Sequence, residues 1–437
     1  MKKRVLLSGS VAALATLALV IAATSAVAKN AAGTKASVLP TSSCSKVFYQ
    51  GSGSPQVLIA SDLPLQGAGR AQPISMTKAI QYILSTQFKF KAGQWTVGYQ
   101  SCDDSTAQAG GWDAAKCTAN GQAYAADKTV VGVVGTFNSG CAKLIIPILN
   151  RAGPLGMVSP ANTYPGLTHV AKPITAAGEP GIYYPTGKRN YARVVATDDF
   201  QGPADALLLK QLHKTSVYIL NDNQTYGKGV ALAVQGAAKK LGIAVKGFEA
   251  WDPKASSYEA VASRIKQSGA QAVFLGGIVC NNGGKLVKDL RAGLGTGVTL
   301  VGPDGFTPVS AVVKGAGSDA EGMYVSVAGY PNEKLGAAGK AFVKNFGTFQ
   351  HQATVDPYAV YAAQAAQVLL NAIAKSDGTR AGVNAQIFKT SVSGGILGTF
   401  KIDKNGDTTL KGITIYKITG GKGPFDRLII PPKSLTG

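Results

Sequence analysis

The feature that most narrows what this chain can fold into is a repeated alternation of short β-branched runs with longer helical stretches, beginning at Gln56. Runs that predict strands fall at 57–61, 95–101, 130–135, 155–158, 191–196, 216–220, 244–250, 272–275, 299–301 and 322–327. Helical segments at 72–86, 112–127, 141–151, 202–212, 227–241, 257–268 and 283–292 lie between them. Val130, Val131, Val133 and Val134 make a nearly unbroken apolar run. A strand of that kind is buried on both faces, as in a parallel sheet covered by helices on each side. Alternation sustained this long predicts a doubly wound α/β fold, repeated. The order changes late: helical segments at 333–349, 357–375 and 382–391 run consecutively, and a β-hairpin with strands at 398–402 and 412–418 is expected to close the chain. Its turn, Asp403 to Asp407, opens like a calcium loop, but Gly412 and Ile413 stand where a bidentate Glu belongs, so it reads as a turn.

Composition agrees with a folded chain of two or three units: 437 residues, 45% apolar and only 15% charged. Lys2, Lys3 and Arg4 precede an apolar run at 11–23 and the small-x-small pattern Ala26-Val27-Ala28, which reads as a secretory signal peptide over 1–28. That run falls short of the roughly 20 apolar residues needed to span a bilayer. The expectation is an exported, soluble protein, periplasmic or associated with the outer cell surface, with residues 29–55 as a flexible polar linker. The net charge of +21 is scattered in ones and twos, without an aromatic-interleaved basic stripe, so nucleic acid is not an expected partner. It suits attraction to an anionic cell surface.

Enzyme signatures are scarce. The three histidines, His169, His213 and His351, share no metal-ligand spacing, and neither a P-loop nor a Gly-x-Ser-x-Gly motif occurs. Gly67-Ala68-Gly69 follows a strand, yet Gln72 takes the place of the third glycine of a dinucleotide fingerprint. No metal, no cofactor and no catalytic residue are therefore predicted. In α/β sheets, ligands bind beyond the strand C-terminal ends, and three such ends carry small polar groups. Thr136-Phe137-Asn138-Ser139-Gly140-Cys141 opens a helix whose free N–H groups and Ser139 hydroxyl suit a carboxylate, though Ser139 would serve equally as an ordinary cap. Ser159-Pro160-Ala161-Asn162-Thr163 has the same potential. Asp304, after the strand at 299–301, offers a carboxylate to a cation or is simply a solvated turn residue.

Taken in order, residues 62–67, 135–140, 159–163, 198–202, 222–227, Gly276-Gly277, 302–305 and 320–322 resemble the motifs of type I periplasmic binding proteins. The likeness is to the leucine/isoleucine/valine-binding branch, the substrate-binding subunits of ABC importers, and it covers about 56–421. The resemblance implies two Rossmann-like lobes joined by three crossing strands. Lobe one would hold 56–196 and 329–401, and lobe two 197–328 and 402–437. It further implies that a ligand carboxylate meets Ser139, Gly140 and Thr163, that an ammonium meets the Ala161 carbonyl and Asp304, and that Tyr226 closes from lobe two. Where the family often has Tyr after Gly276-Gly277, Ile278 follows, which alters the pocket wall. The segment 168–190 is longer than the family norm and reads as a lid or a surface loop.

The implied function is an amino-acid binding protein, branched-chain-like, that serves permease and ATPase subunits of an ABC transporter. The alternative is an exported sensor of amides or other neutral solutes. Five cysteines in an exported chain predict disulfides with one thiol left over. Cys102, Cys117 and Cys141 fall close together in sequence, whereas Cys44 and Cys280 stand apart, and one bridge is expected within the first three, most simply Cys102 to Cys141 or Cys102 to Cys117.

Overall fold

Residues 37–436 are described by a computed structural model of the chain. The signal-peptide stretch lies outside them. The first sheet starts with β1 (Val57–Leu63), followed by α1 (Ala71–Tyr82), β2 (Lys91–Ala92) and β3 (Trp95–Asp103). A small hairpin, β4 (Ser105–Thr106) with β5 (Gly111–Trp112), precedes α2 (Ala114–Ala126), β6 (Val130–Gly135), α3 (Ser139–Arg151), β7 (Gly156–Ser159) and β8 (Tyr191–Arg193). The sheet order is β2-β3-β1-β6-β7-β8, parallel except for β2. Every residue of β1 and β6 is buried, the two-sided burial that the valine run implies.

The chain then leaves for a second sheet through α4 (Asp198–Gln211), β9 (Ser216–Asn221), α5 (Thr225–Lys240), β10 (Ala244–Ala250), α6 (Glu259–Ser268), β11 (Ala272–Gly276), α7 (Gly284–Leu294), β12 (Thr299–Gly302), α8 (Val309–Ala316) and β13 (Tyr324–Val327). It returns to cover the first sheet with α9 (Ala337–Phe349), α10 (Pro357–Ala374) and α11 (Arg380–Ile387). Asp356 caps α10 by accepting the Tyr358 N–H, and Pro357 sits in the first turn, where its missing donor costs nothing. Apolar almost all round, α10 is buried along nearly its whole length, as such a helix must be. After β14 (Ser391–Gly395) and β15 (Gly398–Lys401), the chain crosses again to β16 (Ile413–Lys417) and β17 (Phe425–Ile429). The second sheet runs β10-β9-β11-β12-β13-β16-β17. The result is two α/β lobes with three passages between them.

Three expectations need correction. The closing hairpin does not form: β15 pairs with β14, while β16 joins β13 and β17 in the other sheet. An alternating pattern identifies a strand but not its partner. The flexible linker of 29–55 is anchored over its described part. Leu39 is buried and its N–H donates to Gln100 Oε1, the Phe48 N–H donates to the Tyr99 carbonyl, and Cys44 is bonded to Cys102. The second disulfide joins Cys117 to Cys141, so the three-cysteine set does hold one bridge, but Cys102 is not in it. Cys280 is the free cysteine. The carboxylates of Asp62 and Asp104 lie close to the Cys117–Cys141 bridge, whose sulfurs are bonded to each other rather than available as thiolate ligands.

The segment 168–190 lines neither cleft cavity and runs over the surface as a loop, but a pinned one. Its Glu179 is buried and receives the Tyr164 and Tyr183 hydroxyls, with Lys143 Nζ at 3.0 Å, which pins the segment on α3. From there Ile174 reaches the second lobe at α5. A side-chain carbon built on Gly229 would stand 2.8 Å from the Tyr164 ring and 3.5 Å from Ile174. Tyr164, Ile174 and Ala233 share one buried cluster, so the strap joins the lobes.

Candidate functional site

Between the lobes, strand ends of both sheets face one another. A small cavity there is lined by Phe137, Asn138, Ser139, Ala161, Tyr226, Ile278, Asp304, Gly305 and Tyr358. Of the residues singled out in the sequence, Ser139, Ala161, Tyr226, Ile278 and Asp304 come together on its wall, whereas Gly140 and Thr163 stand behind it. Ser139 is the first residue of α3, 2% exposed, so its hydroxyl and the helix N–H groups present the positive end of the helix dipole to the cavity. Gly140 is needed for close approach. The Trp112 indole lies on that first turn, 2.5 Å from where a side-chain carbon would stand.

The opposite wall is acidic. Asp304 follows β12 and is buried, and its carboxylate accepts the hydroxyl of Tyr226, in the first turn of α5, and that of Tyr358, from α10 in the other lobe. The Tyr226 oxygen also accepts the Gly305 N–H at 2.9 Å. Burial raises the Asp304 pKa, and the hydrogen bonds from Tyr226 and Tyr358 oppose that rise. Asp198, at the start of α4, is fully buried and both its oxygens lack a hydrogen-bond partner. Burial, then the charge of Asp304, pushes its pKa well above the usual carboxylate range. The Thr163 hydroxyl is likewise buried and makes no hydrogen bond of good geometry, though its weak interaction with the Asp198 carboxylate opposes that rise. Such groups are costly unless something arrives to meet them.

Sequence reasoning missed Tyr358, Asp198 and Phe137 as members of this site. Asp198 stood in a quoted motif, and its signal was a carboxylate in a helix's first turn directly after a crossing. Tyr358 follows the cap-plus-proline pair Asp356-Pro357, which announces a helix but not that its start faces the cleft.

Across the cleft mouth the lobes also meet at Gln72 with Thr307 (3.2 Å) and at Trp112 with Gln224 (3.2 Å). Behind the cavity, Arg193 is fully buried and donates to the carbonyls of Asn162 and Tyr164, to Thr168, and to Asp407 in the turn before β16. It thereby fixes the 161–164 loop on which Ala161 and Thr163 sit.

Two α/β lobes enclosing a small cavity with a helix N-terminus on one wall and carboxylates on the other define a two-lobed small-molecule binding protein. A sequence profile of the periplasmic binding protein family matches residues 89–422, well over half of the chain. An amino acid binding protein of Pseudomonas aeruginosa is 25% identical over 304 residues, 68% of this chain and 74% of its own length. The Leu/Ile/Val-binding protein BraC3 of Rhizobium johnstonii is 28% identical over 316 residues, 69% and 78% of the respective chains. Among solved structures, leucine binding protein LivK of Thermotoga maritima aligns with a TM-score of 0.74 at 21% identity, covering 86% of this chain and 99% of its own. A solute binding protein of R. palustris in complex with benzoate aligns at 0.70 and 18%, covering 86% and 96%. The chain belongs to the type I periplasmic binding proteins, in their Leu/Ile/Val-binding family. Among the described residues no helix is long and apolar enough to cross a membrane.

Proposed function

We propose that the protein is the extracytoplasmic substrate-binding subunit of an ABC importer, taking a small zwitterion, an α-amino acid of the branched-chain-like class, in the interlobe cleft. The observation that carries this reading is the opposed polarity of one cavity: the α3 N-terminus with Ser139 on one wall, Asp304 backed by Asp198 on the other. A carboxylate gains from helix N–H and hydroxyl donors, and an ammonium from the buried acid and the Ala161 carbonyl. Tyr226 belongs to the second lobe, so closing the lobes about their three passages completes the site. Permease and ATPase subunits at the membrane are the partners this role requires. The names of the relatives, amino-acid and Leu/Ile/Val-binding proteins, support the ligand class.

A neutral solute such as an amide is the second reading, favoured by one observation: the Tyr226 and Tyr358 hydroxyls already hydrogen-bond the Asp304 carboxylate, so it does not depend on an arriving cation. A thermal-shift panel of amino acids, amides and short carboxylates separates the two, since a ligand that binds only the folded state raises its stability by RT ln(1 + [L]/Kd). Shifts with leucine, isoleucine or valine support the first reading; shifts confined to amides or to acids without an ammonium overturn it.

A further inference from the structure

Next to the cavity that holds Ser139 and Asp304 lies a second, somewhat larger one, which shares Phe137, Asn138, Ile278 and Gly305 with it and opens toward the cleft mouth. The two differ in chemistry. No charged side chain lines the outer chamber. Most of its polar side chains have their donors committed to protein partners: Gln66 Nε2 to Asp103 and the Ser105 carbonyl, Gln72 Nε2 to Asp356 and Thr307, Trp112 Nε1 to Gln224, and the Thr307 hydroxyl to the Asp304 carbonyl; the Asn138 amide, shared with the inner cavity, is the one left without a partner among the described residues. The Cys280 thiol, on its second-lobe wall, is pushed up to about 11 by burial and by the charge of Asp222, so it stays neutral and behaves as a small apolar group. What such a chamber can recognise is apolar surface, and two of its walls are aromatic.

We infer that the outer chamber is the side-chain subsite for an α-amino acid bearing a ring, with Trp112 and Phe137 as the faces that select it, rather than for a small branched aliphatic chain. The inference rests on the amino-acid reading of the inner cavity and adds the class of side chain. A branched-chain residue with its main chain between Ser139 and Asp304 fills only the part of the outer chamber beside Ile278, and unfilled apolar space forfeits its contacts. A phenyl or indole reaches the wall formed by Trp112. That residue comes from the β4–β5 hairpin and lies on Gly140, so one side chain touches both the carboxylate end of the site and the ring end. Offset or edge-on aromatic pairs add to burial, together enough for a preference of about tenfold.

The test is titration calorimetry on the exported chain with L-phenylalanine, L-leucine and 3-phenylpropanoate, the last being phenylalanine without its ammonium. Phenylalanine is expected to bind about tenfold more tightly than leucine. Trp112→Ala should bring that ratio to near one, whereas Trp112→Phe, which keeps a ring but drops the bond to Gln224, should retain most of it. The Trp112→Phe arm also answers the case in which Trp112→Ala fails to fold. Leucine binding as tightly as phenylalanine, a ratio unchanged in Trp112→Ala, or a ratio lost in Trp112→Phe overturns the inference. If 3-phenylpropanoate binds as well as phenylalanine and Trp112→Ala weakens both, the aromatic subsite stands and the amino-acid reading falls.

Discussion

The hydroxyl of Tyr358, at the start of α10 in the first lobe, donates to the carboxylate of Asp304, at the end of β12 in the second. A buried acid that would otherwise raise the energy of the closed form thus helps hold it closed. Replacing Asp304 with Asn keeps the shape and removes the charge. For an amino-acid ligand, binding should weaken by about 2 to 5 kcal/mol, the usual loss when one partner of a buried charge pair is removed. Folding should not suffer, because the charge of Asp304 adds to the rise in pKa that burial gives Asp198 and Asp205, and removing it relieves both. Calorimetry and thermal unfolding on Asp304→Asn check both halves. Unchanged affinity would argue for a neutral solute.

A second buried pair controls pH dependence. Arg193 Nε donates to Asp407 Oδ1 at 2.8 Å, and His169 lies between Asp407 (2.9 Å) and Asp199 (3.2 Å), with Thr168 also donating to Asp407. Burial lowers the His169 pKa, but hydrogen bonds and charge from Asp199 and Asp407 outweigh it and hold it at about 9, above its ordinary 6.5. A group raised in the folded state stabilises fully below its unfolded pKa and loses that contribution as pH rises through the folded value. The stability due to His169 is therefore complete below about pH 6.5 and gone above about 9, at most on the order of 3 kcal/mol. Asp407 runs the other way. Burial raises it, yet Arg193 and His169 bring it down to about 2, so its contribution holds above the ordinary carboxylate range and fades as pH falls toward 2. Unfolding midpoints of the parent and His169→Gln, compared from pH 5 to 10, should differ most at the acid end and converge above about 9. A constant difference across the range would show that the ion pairs do not titrate as described.

Disulfide mapping has a definite expectation. Non-reducing digestion should return Cys44 joined to Cys102 and Cys117 joined to Cys141, with Cys280 alone alkylated after unfolding. Closing the 58-residue separation between Cys44 and Cys102 removes more freedom from the unfolded chain than closing 24 residues does. Cys44→Ala should accordingly cost about 2 to 5 kcal/mol and release residues near Leu39 to proteolysis. Resistance unchanged in that variant would mean the segment is held by Leu39 and Phe48 alone.

What the sequence made legible follows a physical rule. Sites at strand ends were readable where a buried apolar run stops at small polar residues opening a helix, as at Ser139, Ala161 and Asp304, because strand and site adjoin in the chain. Contacts that depend on the return of the chain were not. Tyr358 reaches Asp304 only because α9, α10 and α11 come back to cover the first sheet, and Cys44 meets Cys102 across a long separation. The misread hairpin has the same origin: β15 and β16 each form where strands were expected, but which sheet receives them is decided by the crossing between them. The segment 168–190 looked polar and long, and its anchor, Glu179 among two tyrosines and Lys143, is a tertiary arrangement without local signature.

That anchor makes the last prediction possible. The strap ends on α5, where Gly229 lets the Tyr164 ring and Ile174 approach the helix. Gly229→Val places branched carbon where the Tyr164 ring now lies, 2.8 Å from the new side chain's first atom. Because valine is a somewhat better helix residue than glycine, α5 itself should not weaken. The cost of overpacking, about 1 to 3 kcal/mol, falls on the contact between lobes and so on the closed form alone. A shift of that size lowers apparent ligand affinity by about five- to 150-fold if the closed form starts as a minority state, and by less if it starts in the majority. Where the closed form is the majority before ligand, small-angle scattering of Gly229→Val should show a larger radius of gyration than the parent before ligand is added and the same radius at saturation; where it is the minority, the unliganded radii coincide and the affinity loss is the readout. Equal radii before ligand, with affinity unchanged, would show that the strap packs on the second lobe without opposing its opening.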